Sequence, residues 1–295
     1  MVSLELKNDC SEKIHYDYSE FPIYIRRALL SNYPQYTAPS HWHDDVEFIA
    51  VLSGEMKYYV NGELVCMNSG EGILVNARQL HYGFSDTWTE CDFLCVLFHP
   101  IMLCSSMAME QQFVLPLIQN SNLPYMKLTR EENWKRRIFQ NIQKIYAERN
   151  SVAAPVKIQS LFLDIWAELV RNTTAVSESQ SPPDNSLTIL KNMVGFIQKN
   201  YEEKLSLSAI AYSGAVGQSK CCKLFREYLN QTPVAYLTSH RLNKSMELLQ
   251  NTDMTVSEIA LKSGFGGASY YTEIFQKWMA QTPTEYRRKH KTGQN

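Results

Sequence analysis

The chain has 295 residues, room for two domains of ordinary size, each with its own core. A hydrophobic fraction of 44% and a charged fraction of 20% are those of a soluble globular protein. No apolar run approaches the ~18 residues of a spanning helix, and no signal-peptide segment opens the chain, so a membrane protein is excluded and the cytoplasm is expected. The net charge of -1 hides a division: residues 1–185 balance at -7 and residues 186–295 at +6, which points phosphate contact to the C-terminal part alone.

Seven cysteines (Cys10, Cys66, Cys91, Cys95, Cys104, Cys221 and Cys222) are odd in number and contain no Cys-x-x-Cys. That argues against a disulfide scaffold and for reduced thiols serving as small hydrophobes.

Residues 1–20 are polar with scattered aromatics and read as an arm or a first strand. From Phe21 to about Phe98 short apolar runs alternate with turns. Glu47 to Leu52 reads as a strand, Ser53-Gly54-Glu55 as a turn, and Met56 to Val60 as the next strand. Asn61-Gly62 is a hairpin signal, because both residues tolerate positive φ. Leu64 to Met67 returns, Asn68 to Gly72 turns again, and Ile73–Val75 and Phe93–Phe98 are further strands. Many short strands with regular turns predict a barrel or sandwich.

Within this stretch lies His41-x-His43-x-x-x-Glu47-x6-Gly54, with Gly72 and His81 downstream. The pattern resembles the two motifs of the cupin barrel, although Asn76 stands where proline is common in the second. The resemblance implies that His41, His43, Glu47 and His81 meet inside the barrel. Imidazole and carboxylate suit a divalent transition metal, and the shared odd parity of His41, His43 and Glu47 lets one extended strand point them to one face. Three readings stay open: a metal site, an effector pocket using some of these residues, or barrel architecture alone. No cofactor is fixed beyond that candidate metal. Trp42 and Tyr82, with Tyr24, Tyr36 and Trp88, are candidates to line a sugar-sized pocket.

Beyond Phe98 the pattern turns helical. Residues 131–148 place Trp134, Ile138, Ile142, Ile145 and Tyr146 near helical spacing. Pro155 to Arg171 places Ile158, Leu161, Phe162, Ile165, Trp166 and Leu169 on one side. Part of this wide stripe is expected to cover the barrel, and the remainder either packs within the same domain or is left over from it. Residues 172–186 are polar, contain Pro182-Pro183 and read as the interdomain linker. Ser186 is the expected cap of the helix bearing Leu187, Leu190, Val194 and Ile197.

The last hundred residues contain a repeat. Gln231-Thr232-Pro233 with Tyr236 recurs as Gln281-Thr282-Pro283 with Tyr286, and Phe225 recurs as Phe275. Ile210-Ala211 recurs as Ile259-Ala260. Each copy reads as helix, glycine-bearing turn, helix, then a Thr-Pro start to the next helix: two helix-turn-helix units in series. In the second copy Thr255 and Glu258 form a capping box, Gly264 turns the chain, and Ile274, Phe275 and Trp278 form the buried stripe of a helix from Ala268 to Trp278. In the first, Ser206 caps, Gly214 turns, and Leu224, Phe225 and Tyr228 go inside. That leaves Gln218, Ser219, Lys220, Cys222, Lys223 and Arg226 outside, and Ala268, Ser269, Tyr270 and Glu273 in the second copy. A linking helix from Thr232-Pro233 to about Leu249 is about 25 Å long. It would hold the two second helices roughly 30–35 Å apart, near one ~34 Å turn of B-DNA.

Ser257-Glu258-Ile259-Ala260, Gly264-Phe265, Ser269-Tyr270, Phe275 and the Thr-Pro-Tyr endings resemble the DNA-binding domain of the AraC family of bacterial transcription regulators over residues 187–288. Ala215 stands where that family usually has glycine. The resemblance implies a multidomain α+β chain: a cupin-like effector-binding and dimerisation domain over 1–171 (barrel about 21–98, helices about 104–171), a linker over 172–186, and an all-α double helix-turn-helix domain over 187–295. It implies base-facing positions at Ser219, Cys222, Lys223, Ala268, Ser269 and Glu273, a homodimer, an effector such as a sugar, and contact with RNA polymerase. The expected function is sequence-specific transcription regulation, by activation on family grounds. A metal-dependent cupin enzyme fused to a DNA-binding module is the alternative.

Overall fold

The apolar run Glu47–Leu52 lies in the first half of a 15-residue strand, β2 (Val46–Val60), around which the N-terminal unit of the computed structural model is arranged. The structure describes residues 4–6, 11–18, 20–173, 185–229 and 231–290, and these group into two compact units that divide between Asn185 and Ser186. Of the expected linker, residues 174–184 lie outside the described residues, as does Cys10.

The other strands of the first unit are β1 (Ile23–Leu29), β3 (Glu63–Asn68), β4 (Gly72–Val75), β5 (His81–Phe84), β6 (Cys91–Phe98) and β7 (Tyr125–Leu128). In β2, residues 46–54 pair with β6 and residues 47–50 with β4 on the other side; residues 55–60 pair with β3 and residues 57–60 with β5. One strand thus serves both sheets of the barrel. The expected turn at Ser53–Glu55 is instead a bulge inside β2, where the register to β6 shifts between Val51 and Ser53. A bulge bends a strand without ending its ladder. Gly54 has φ +79, and a Cβ there would stand 2.1 Å from the Glu90 carbonyl oxygen, so the bend requires glycine. Asn61 and Gly62 both take positive φ at the following hairpin.

Both faces of the first half of β2 are buried. Val46, Phe48 and Ala50 face a core built with Phe98 of β6 and two helices, α1 (Asn133–Glu148) and α2 (Ala154–Thr173). Ile49 and Val51 face the barrel interior with Met56, Tyr58, Val60, Ile73 and Phe93. Every residue of the expected α2 stripe is buried within this unit, with Phe162 and Trp166 packed on Phe98. None of that named stripe remains for a partner; Val156 and Leu163 are the large apolar side chains that α2 leaves exposed.

The second unit begins with α3 (Asn185–Asn200), so Ser186 stands inside the helix and not at its cap. Then follow α4 (Leu207–Ser213), α5 (Gln218–Leu229), α6 (Pro233–Asn251), α7 (Val256–Lys262), α8 (Ala268–Met279) and α9 (Pro283–His290). The capping box at Thr255 and Glu258 forms, and the Thr232 side chain accepts from the Ala235 N–H with Pro233 at the first helical position. Gln198 donates to the Tyr236 hydroxyl at 2.9 Å, and Gln250 donates to the Tyr286 hydroxyl at 2.7 Å. The two tyrosines of the repeated Thr-Pro-x-x-Tyr ending are therefore anchored alike.

Candidate nucleic-acid interface and metal centre

Each turn between the paired helices closes in the same way. In the second motif, Phe265 N–H reaches Ala260 O at 2.9 Å and Gly264 N–H reaches Leu261 O at 3.0 Å, with Gly264 at φ +78. In the first, Val216 N–H reaches Ala211 O at 3.1 Å and Ala215 N–H reaches Tyr212 O at 2.9 Å, with Ala215 at φ 53. This is one helix stop made twice, with a left-handed residue just past the helix end. The left-handed place belongs to Ala215 and not to Gly214, which has φ -96. Gly214 is small for a different reason: a Cβ there would press on Met193 and Ile189 of α3.

These turns set the faces of the second helices. On α5, Gln218, Ser219, Lys220, Lys223 and Arg226 are exposed and Cys222 half-buried, whereas Cys221, Leu224, Phe225 and Leu229 form the inner side. Tyr228, expected inside, is only half-buried because Leu229 takes the inward place. On α8, Ser269, Tyr270 and Glu273 are exposed and Ala268 half-exposed. Phe275 is buried as expected, but its partner on the inner face is Tyr271, and Ile274 and Trp278 lie at the margin. Lys220, Lys223 and Arg226 give α5 a basic face relieved by Glu227, 4.0 Å from Lys223. α8 carries Glu273 against Lys277 and is close to neutral.

In the N-terminal unit, the backbones of His41 and His81 pair at an isolated bridge, and His43 leads into β2, where Glu47 points inward. Among the described residues His41, His43, Glu47 and His81 form a cluster whose donor atoms all lie within 4.8 Å of one another, every member buried. His43 Nε2 stands 3.7 Å from Glu47 Oε2, and His81 Nε2 stands 3.6 Å from Glu47 Oε1. The opposite ring nitrogens are already committed. His41 Nδ1 lies 2.8 Å from Pro39 O, His43 Nδ1 3.0 Å from Asp45 O, and His81 Nδ1 2.9 Å from Gln79 O. A carbonyl oxygen only accepts, so each Nδ1 carries a proton and each ring turns its Nε2 inward. His43 Nε2 and His81 Nε2 are buried with no hydrogen-bond partner.

Burial, with the neighbouring histidines, pushes the His41 ring down to about 3. Burial alone would raise the Glu47 carboxyl, but His81 and His43 hold it well below its ordinary value. The result is an ionised carboxylate among three imidazole rings, a donor set of the kind a divalent cation takes. Backbone carbonyls orienting each ring are the usual support of metal-binding histidines. The Tyr58 hydroxyl donates to Glu47 Oε1, and the Cys95 thiol lies 3.7 Å from Glu47 Oε2.

Beside the cluster is a cavity of about 150 Å³ lined by His41 and Glu47, by Tyr24, Tyr33, Tyr58 and Phe93, and by Arg26. Of the aromatics singled out in the sequence, Tyr24 lines it and the rest do not. Strand alternation is the reason for Tyr82: His81 and Gly83 of β5 face inward, so Tyr82 and Phe84 stack outside on Tyr59. Trp42, between two inward histidines, faces away, Trp88 is 58% exposed, and Tyr36 packs on Trp88. Tyr33, Tyr58, Phe93 and Arg26 went unnoticed in the sequence. β-Spacing could have found Phe93, while Tyr58 is hidden by the bulge in β2, which changes which parity faces inward.

A paired helix-turn-helix head and a barrel holding a histidine–carboxylate cluster define a DNA-binding regulator with an attached cupin-like domain. A helix-turn-helix domain model matches residues 210–289, and a cupin domain model matches residues 32–97. An uncharacterised helix-turn-helix-type transcriptional regulator, YdeC of Bacillus subtilis, is 28% identical over 254 residues, covering 85% of this chain and 87% of its own. The melibiose operon regulatory protein of Escherichia coli K12 is 24% identical over 258 residues, covering 86% and 84%. The transcriptional activator RhaS of Klebsiella pneumoniae is 21% identical over 256 residues, covering 83% and 86%. Over most of its length the chain is similar to helix-turn-helix transcription regulators of the AraC type, and it is a DNA-binding transcription regulator. No helix among the described residues is long and apolar enough to cross a membrane.

Proposed function

We propose that the chain is an effector-controlled regulator with two working faces: α5 and α8 read DNA, and the barrel binds a small molecule. The observation that supports the DNA reading is that the exposed side chains of α5 and α8 occupy corresponding faces of two copies of one motif joined by α6. Phosphate contacts from Lys220, Arg226 and hydroxyls position the head; Ser219, Cys222 and Lys223 in the first motif, and Ala268, Ser269 and Glu273 in the second, reach base edges. Gln218 and Tyr270 flank them. Lys223 is suited to donate to guanine and Glu273 to accept from cytosine.

In the barrel, His41, His43, Glu47 and His81 would hold a divalent transition metal, which supplies an electrophilic anchor for ligand oxygens. The cavity beside them takes a small polyhydroxylated effector, a class supported by the naming of one relative for melibiose. We read the barrel as a sensor and not a catalyst, because similarity to regulators extends over most of the chain. Activation is the proposed sign, as in the relative named an activator. The exposed Val156 and Leu163 of α2 support a homodimer; RNA polymerase contact and a cytoplasmic location complete the reading.

The test is a thermal-shift series on the chelator-treated full chain with zinc, and with zinc plus melibiose, rhamnose or galactose. A ligand that binds only the folded barrel raises Tm by mass action. Zinc at one equivalent is expected to raise Tm in the wild type and not in His43→Ala. No shift with zinc in the wild type would remove the metal from the reading.

A further inference from the structure

One carboxylate near the cluster has no part in the reading above. Glu12 belongs to the N-terminal arm, not to the barrel wall, and its side chain is 8% exposed with Oε2 3.7 Å from His41 Nε2. The arm is seated by backbone bonds. Leu6 and Glu12 form an antiparallel bridge, and Ser11 bridges Trp42 in parallel. Glu12 N–H donates to Trp42 O at 2.8 Å, and Lys13 N–H donates to Glu5 O at 2.7 Å. Leu4 of the same arm and Glu12 itself line the cavity. A second arm carboxylate, Asp17, pairs with Arg26, which also lines the cavity.

The contact between Glu12 and His41 is not a hydrogen bond. The distance is too long, and the His41 proton is spent on Pro39 O, so Nε2 offers a lone pair to a group that also offers lone pairs. Two acceptors facing each other in a buried site are reconciled by a proton or by a cation between them. Bonds of ~2.0–2.2 Å to nitrogen and oxygen put two ligand atoms of one zinc ion about 3–4 Å apart, a range that includes this separation. Glu12 stands outside the cluster of four, on the His41 side.

We propose that Glu12 is an arm-borne ligand that completes the coordination of a cation held by His41, His43, Glu47 and His81, so that the bound cation latches the N-terminal arm across the barrel. This rests on reading the four residues as a cation site. The latch couples occupancy of the barrel to the order of the arm.

The experiment uses the full chain stripped with a chelator and titrated with zinc. Zinc affinity is measured by competition with a chromophoric chelator, and hydrogen exchange is followed in the peptide spanning residues 11–18, with and without zinc. In the wild type, zinc is expected to slow exchange across 11–18. In Glu12→Gln the zinc dissociation constant is expected to rise about tenfold, the scale seen when a supporting contact of a metal site is lost, and the slowing is expected to vanish. Equal zinc affinity in both proteins, or a wild-type arm whose exchange zinc leaves unchanged, overturns the latch while leaving the four-residue site intact. Failure of the wild type to bind zinc overturns the cation site, and the latch with it.

Discussion

Replacing Ala215 by glycine should stabilise the DNA-binding unit. Ala215 sits at φ 53, in the left-handed place that Gly264 fills in the second motif at φ +78. That conformation costs an L-residue about 1–2 kcal/mol. Glycine avoids the cost but gives back roughly 0.4–1 kcal/mol through its greater freedom in the unfolded chain. The net gain from Ala215→Gly is about 0.5–1 kcal/mol, a rise of about 3–6 °C in Tm for a unit of ~100 residues. The reciprocal change should be far worse. At Gly264 a Cβ would stand 2.1 Å from Tyr201 O and 2.8 Å from Arg241 Nε, whose guanidinium is itself bonded to Tyr201 O at 2.8 Å. Gly264→Ala should therefore cost at least about 2–3 kcal/mol. Urea unfolding of the full chain, with hydrogen exchange read over residues 218–229 and 268–279, measures both. A neutral or destabilising Ala215→Gly would refute the claim that the first turn is a strained copy of the second.

Further outcomes follow from the two surfaces and one buried ring. Lys223→Ala should weaken specific DNA binding by ~1–3 kcal/mol while changing binding to random DNA little, measured by fluorescence anisotropy at fixed salt; equal losses on both would make Lys223 a phosphate contact. Glu273→Ala should relax base preference at one position of the second half of the footprint, and an unchanged preference in a selection from randomised sites would dismiss cytosine recognition. His240, on α6 with its ring edge-on to Tyr201, is pushed down to about 3 by burial, with Lys244 and Arg241 adding to the effect. Its unfolded value is near 6.5, so the unfolded chain binds more protons between those limits. Its contribution is full above pH 6.5 and is lost as pH falls toward 3. At pH 5 the loss is about 1–2 kcal/mol. His240→Phe, which keeps the contact with Tyr201, should flatten that part of the stability profile; an identical slope in the variant would exclude the ring as its source.

Much of the C-terminal unit was legible because repetition supplies an internal comparison. Thr232-Pro233-x-x-Tyr236 and Thr282-Pro283-x-x-Tyr286 each mark a helix start and an inward tyrosine, and the structure anchors both tyrosines through a glutamine. The misreading of Gly214 has a physical source. Glycine has two uses, and sequence alone does not separate a left-handed turn from close helix approach. Here Gly214 serves the approach to Met193, and an alanine carries the turn. Tyr271 was missed for a related reason: a tyrosine on an amphipathic helix fits either face, and only the position of α6 and α9 decides it.

The barrel site was half legible for a reason that can be stated in terms of strand parity. His41, His43 and Glu47 share odd numbers, and they do share a face. The same rule fails beyond Val51, because the bulge adds one residue to β2 without an opposite number on β6. Past it the even-numbered Met56, Tyr58 and Val60 face inward, beneath the odd-numbered Glu47, Ile49 and Val51. That single insertion brings the Tyr58 hydroxyl onto Glu47, eleven residues away. Had β2 kept one parity throughout, Lys57 and Tyr59 would have pointed into the barrel, and Glu47 would have met an ammonium group in place of a hydroxyl. A lysine there would neutralise the carboxylate and compete directly with a cation. The bulge that reading by alternation mistakes for a turn is therefore the feature that leaves Glu47 available as a ligand.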